Sequence, residues 1–129
     1  MVQEFRPLTD TVSLANTLLF LGISVYPDGE SWEVETWWQA TDGPVNHDFS
    51  IMAHLVTADG KAVAVADGLG VSHLALRAGD IIVQRHRFPK PQEGIDYWLR
   101  TGAYWLDSME RWRVDGAADA DALLIVLGH

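Results

Sequence analysis

The chain reads as an all-β protein, a two-sheet antiparallel sandwich of about seven or eight strands, and three observations lead there. Apolar residues recur with a period of two over most of its length. Turn residues (Pro-Asp-Gly, Asp-Gly, Gly-Pro, Gly-Asp) interrupt that pattern at short intervals. No stretch sustains the 3.6-residue amphipathic period that a crossover helix needs. Short strands joined by turns and lacking helices bury their apolar faces best by layering two sheets, with a small barrel as the alternative.

The clearest element is the stretch His47–Gly68. Phe49, Ile51, Ala53 and Leu55 fall on one side of an extended chain, and Ser50, Met52, His54 and Val56 on the other. Thr57-Ala58-Asp59-Gly60 supplies the turn, and Lys61 to Ala66 runs back with Val63 and Val65 in phase.

In chain order, Met1 to Asp10 has no period and contains Pro7, so an irregular lead-in is expected, with Thr11 to Leu14 a short edge strand. Thr17 to Tyr26 is a strand, because Gly22 and the β-branched Ile23 and Val25 disfavour a helix. Ser31 to Ala40 alternates, with Trp32, Val34, Thr36 and Trp38 inward and Glu33, Glu35, Trp37 and Gln39 outward. Gly68 to Ala75 is a crossover loop. In Ile81 to Phe88 two phases compete. Turning Ile82, Gln84, His86 and Phe88 inward avoids burying Arg85 and Arg87, which then face Glu33 and Glu35 across the sheet. Asp96 to Tyr104 is the next strand and Trp105 to Glu110 a turn. Arg111 to Val114 is a short strand, Asp115 to Asp121 an acidic loop, and Leu123 to Leu127 the closing strand.

Composition narrows the function classes. One domain spans residues 1–129. Without cysteine there is no disulfide, thiolate nucleophile or zinc–thiolate site. Eighteen acidic against nine basic residues give a net charge of −9, which repels phosphate backbones and argues against nucleic acid as a partner. No apolar run is long enough for a membrane span, and the start lacks the order of a signal peptide, so a soluble chain with no address of its own is expected.

The segments Leu21-Gly22, Trp37-Trp38-Gln39-Ala40, Asp48 to Leu55 with Asp59-Gly60, Arg77-Ala78-Gly79-Asp80, Arg85-His86 and Tyr97…Gly102-Ala103-Tyr104…Arg111 together show a likeness. Over residues 18 to 114 the chain resembles an immunoglobulin-like β-sandwich module appended to the C-terminal side of bacterial, glycosyltransferase-like polytopic membrane proteins. It departs from that pattern at Ala78, where proline is common, and in the 68–75 loop, which lacks the usual proline and tryptophan. The resemblance implies an accessory module on the extracytoplasmic face. It carries no catalytic residue across.

Candidate chemistry is sparse. His47, His54, His73 and His86 show no metal-ligand spacing; a site built from His54 and another histidine competes with structural roles for all four. Asp115, Asp119 and Asp121 are the densest acidic cluster, without an EF-hand spacing; the Asp-Gly pairs read as turns. Ser13, Ser24, Ser31, Ser50, Ser72 and Ser108 lie in no nucleophile elbow. No cofactor is implied, and a small hydrolase is the remotest reading.

Six tryptophans are the compositional anomaly. Trp32 and Trp38 belong to the core phase, Trp37 and Trp98 to the outward phase, and Trp105 and Trp112 flank a turn. The expected binding surface is an aromatic patch of Trp37, Trp98 and Trp105 with Arg100, docking a protein partner or adjacent domain. A carbohydrate-binding module using the same rings, with Asp107, Arg100 or Glu35 beside them, is the alternative.

Overall fold

The computed structural model describes residues 6–28, 30–43, 45–90, 92, 94–117 and 120–128. Eight strands form two antiparallel four-stranded sheets. The strands are β1 (Arg6–Leu14), β2 (Leu18–Asp28), β3 (Ser31–Ala40), β4 (Phe49–Val56), β5 (Ala62–Val65), β6 (Ile81–Pro89), β7 (Tyr97–Trp105) and β8 (Leu123–Gly128). The first sheet has the order β1-β2-β3-β6 and the second β5-β4-β7-β8. The chain therefore crosses between sheets after β3, β5 and β6, as expected for a sandwich.

The two facing layers close on the residues that alternation placed inside. Phe20, Val34, Trp38, Ile82 and Phe88 of the first sheet meet Phe49, Ile51, Leu55, Leu99 and Ala103 of the second in one buried cluster. Phe20 and Trp38 rings lie 4.7 Å apart. Burying a side chain of this size contributes roughly 1.5–3 kcal/mol, so this layer outweighs every polar contact described below.

The chosen phase of β6 holds. Ile82, His86 and Phe88 are buried, while Ile81, Val83, Arg85 and Arg87 are exposed. Glu35 and Arg85 are register partners, with Arg85 Nε 3.1 Å from Glu35 Oε2. Glu33 and Arg87 are likewise register partners, and Arg87 Nε donates to Ser31 Oγ at 3.2 Å. The β4–β5 turn is as read, with Gly60 at φ +82° and Asp59 Oδ1 accepting the Lys61 N–H.

Three boundaries are corrected. Strand β1 begins at Arg6, so half of the expected irregular lead-in is a strand; a register break between Pro7 and Val12 hides its period. Arg111 to Val114 forms no strand; Arg111 and Val114 make single bridges to Tyr104 and Leu14. The crossover loop contains a 3₁₀ turn, His73–Ala75, which Ser72 caps by accepting the Leu74 N–H.

Candidate functional site

The four expected patch residues do not share a surface. Trp37 follows the outward phase of β3, because its neighbour Trp38 is fully buried. Trp98 follows the outward phase of β7, next to buried Leu99. The two indoles are thus on opposite outer faces of the sandwich. Trp105 turns to the end of the core, its ring 4.8 Å from Trp112, which itself lies 4.8 Å from Phe49. Only Trp98 and Arg100 stay together, on the outer face of the second sheet.

That face carries two adjoining features. The first is a polar chain anchored by Asp67. Between Ala66 and Gly68 the chain runs beside β4, and the Asp67 side chain replaces a main-chain carbonyl: its Oδ1 accepts the Ala53 N–H at 2.7 Å. Gly68 and Ile51 resume the ladder with two main-chain bonds. The other oxygen, Oδ2, accepts from the Tyr104 hydroxyl at 3.0 Å. His54 Nε2 faces Asp67 Oδ1 at 3.4 Å. On the opposite side of the ring, Arg100 Nη2 and Nε lie 3.1 and 3.3 Å from His54 Nδ1.

This arrangement fixes the proton. A guanidinium only donates, so Nδ1 is the acceptor and the imidazole hydrogen sits on Nε2, toward the carboxylate. Burial pushes the His54 pKa below its ordinary value; Asp67 opposes that shift and Arg100 reinforces it. Tyr104 is pushed up by burial and by the Asp67 charge, against a hydrogen bond from Ser50. A neutral imidazole with both nitrogens engaged holds no lone pair free to take a proton from a nucleophile.

The second feature is an apolar recess of about 240 Å³ lined by Val56, Trp98, Leu124 and Val126, with Arg100 and Thr57 at its rim. Strand register aligns these groups: Val56 faces Trp98 across β4–β7, and Trp98 faces Val126 across β7–β8. Leu124 and Val126 are 64% and 61% exposed, and Val63 and Val65 on β5 are 53% and 62% exposed.

The remaining candidates have structural partners. His86 is fully buried, with Nε2 2.9 Å from Thr36 Oγ1 and Nδ1 2.8 Å from the Ala66 carbonyl. His73 Nδ1 lies 2.7 Å from the Val45 carbonyl. In the acidic loop, Asp115 Oδ2 accepts from Ser13 Oγ and the Asn16 N–H, and Asp121 pairs with Arg111 at 3.5 Å. Asp119 lies outside the described residues. Among those that are described, no three histidines or carboxylates gather into a metal-binding group. Asp67 corrects the reading of every Asp-Gly pair as a turn: it closes the β4 ladder.

Sequence reasoning missed Asp67, Tyr104, Val56, Leu124 and Val126. A signal for the last two was present, since Leu123 to Leu127 is apolar at every position and a strand cannot bury both faces at a sheet edge. No protein-family model matches the chain, and no curated protein or solved structure matches it either. Among the described residues no helix is long and apolar enough to cross a membrane.

Proposed function

We propose that this chain is a non-catalytic accessory module that docks a protein partner or neighbouring domain through the outer face of its second sheet, centred on Trp98. The carrying observation is the set of three aliphatic side chains, Val65, Leu124 and Val126, each more than half exposed and in register with the outward-phase residues His54, Arg100 and Trp98. Left in water, such a surface gains by being covered.

Two further features support an immunoglobulin-like assignment. The strand order sets β1-β2-β3-β6 against β5-β4-β7-β8, with a hairpin at β4–β5 and β8 returning antiparallel to β7 after the 106–122 connection. The Tyr97 hydroxyl at the start of β7 accepts the Gln92 N–H at 3.1 Å, resembling the tyrosine corner of such sandwiches. In the modules that the sequence resembles, the sandwich is an accessory to a larger membrane-bound glycosyltransferase-like protein, which makes a neighbouring domain the natural partner.

The sugar-binding alternative loses its coplanar rings, keeping Trp98 alone as a stacking platform. The hydrolase alternative meets His54 and Asp67 side by side, but with both ring nitrogens occupied.

An uncovered docking face self-associates at high concentration, and sedimentation velocity over a dilution series reads this directly. Trp98→Ser and Leu124→Ser should each reduce association while leaving cooperative thermal unfolding in place. Association unchanged by both substitutions refutes the assignment of this face.

A further inference from the structure

Arg100 lines the apolar recess and, among the described residues, carries a charge that no carboxylate contacts. Among the described residues its only partner is His54 Nδ1, which takes both Nε–H and one Nη2–H. The nearest acid in that network, Asp67, stands on the far side of the imidazole and is engaged by the Ala53 N–H and the Tyr104 hydroxyl. Arg85 and Arg111 are paired to acids, whereas the Arg100 guanidinium, like Arg87 Nε on Ser31 Oγ, meets a neutral partner, and it does so beside the Trp98 indole in a chain of net charge −9. The Nη1 end of the guanidinium, with the second Nη2 hydrogen, presents a two-pronged donor of the kind that grips a carboxylate.

The recess supplies the other half of a recognition site. Its walls, Val56, Trp98, Leu124 and Val126, are apolar, and Arg100 provides the charge at its edge. At about 240 Å³ it is smaller than the roughly 300–1,000 Å³ typical of metabolite pockets, and it opens on a sheet surface. Its size suits one large side chain of a protein segment. We propose that the recess takes a large apolar side chain from a partner peptide, with an adjacent carboxylate, from a chain terminus or an acidic side chain, bound by Arg100. This rests on the docking reading above and adds the chemistry of the docked group.

The probe is an acetylated tetrapeptide ending in leucyl-phenylalanine, prepared with a free C-terminal carboxylate and as the C-terminal amide. Each is titrated into the full chain labelled with ¹⁵N, following the indole N–H signal assigned to Trp98 by its loss in Trp98→Phe. The free acid should shift that signal and bind about tenfold more tightly than the amide, the factor expected of one charge-assisted pair. Arg100→Gln should abolish the preference, and Arg100→Lys, which keeps the charge, should retain part of it. Equal binding of acid and amide overturns the carboxylate role while leaving the apolar face as a docking surface. No shift at Trp98 with either peptide overturns the inference at this recess, whatever sedimentation shows. Binding of 3-phenylpropionate as tight as that of the peptide acid overturns the peptide source in favour of a free organic acid.

Discussion

Thr36→Val tests the polar bridge that the sandwich closes inside itself. The Ala66 carbonyl only accepts, so His86 carries its proton on Nδ1 and its Nε2 accepts from the Thr36 hydroxyl. Thr36 and His86 are both fully buried, and burial pushes the His86 pKa down, so the ring is neutral. Valine keeps the shape of threonine but leaves Nε2 buried without a donor, at a cost of about 1–3 kcal/mol. His86→Leu leaves the Thr36 hydroxyl and the Ala66 carbonyl without the ring and costs about 2–4 kcal/mol. In the double variant the Thr36–His86 pair disappears from both ends and only the Ala66 carbonyl remains orphaned. Its cost should fall short of the sum of the singles by about 1–2 kcal/mol. Urea unfolding at pH 7.5, followed by tryptophan fluorescence with the slope held common, measures all four corners. Additivity within about 0.5 kcal/mol refutes the orphaned-acceptor reasoning.

Two further outcomes follow from the same geometry. His54 and His86 both sit below the ordinary imidazole pKa of 6.5, chiefly through burial. The unfolded chain therefore takes up protons near pH 6.5 that the folded chain still refuses. Stability is full above that pH and falls as the pH drops below it, by up to about 1.4 kcal/mol per pH unit for buried His86 and less for the partly solvated His54. Melting temperatures from pH 7.5 to 5.5 should decline, and His54→Gln should flatten only part of the slope; a flat or rising profile in the parent chain contradicts the burial argument. In the loop before β4, a Cβ at Gly43 would meet the Leu76 carbonyl oxygen at 2.5 Å, a main-chain atom that cannot rotate away. Gly43→Ala should cost about 1–3 kcal/mol in the same urea experiment, and a change below about 0.5 kcal/mol would show that the loop yields freely.

The sandwich was legible because its evidence is local. Alternation in β3, β4 and β6 is visible within eight to ten residues, and the cost of burying Arg85 and Arg87 settled the phase of β6 without any partner strand. Where a ladder is irregular, the period fails: the register break in β1 between Pro7 and Val12 removed the signal for half a strand. The bridges at Arg111 and Val114 failed in the opposite way. Each makes one contact to a distant strand, and isolated contacts leave no repeat to read.

The site was only half legible, and the reason is register. Outward phase correctly identified Trp37 and Trp98, yet phase says nothing about which sheet a strand joins. The β3–β6 pairing carries Trp37 to one side of the molecule and the β4–β7 pairing carries Trp98 to the other. Asp67 illustrates the same limit more sharply. Beside Gly68 its local chemistry is that of a turn residue. Its role comes from the accident of position that brings its carboxylate to the Ala53 N–H, fourteen residues back, and to Tyr104 on β7. Having taken the place of a carbonyl in the ladder, the carboxylate is fixed, and it holds His54 at Oδ1 and Tyr104 at Oδ2. His54 in turn draws the Nε side of Arg100 toward β4. The guanidinium's remaining edge is thereby left at the rim of the recess that Trp98, Leu124 and Val126 line. A single aspartate inside the strand pairing thus determines where Arg100, the positive group among the described residues of that recess, stands.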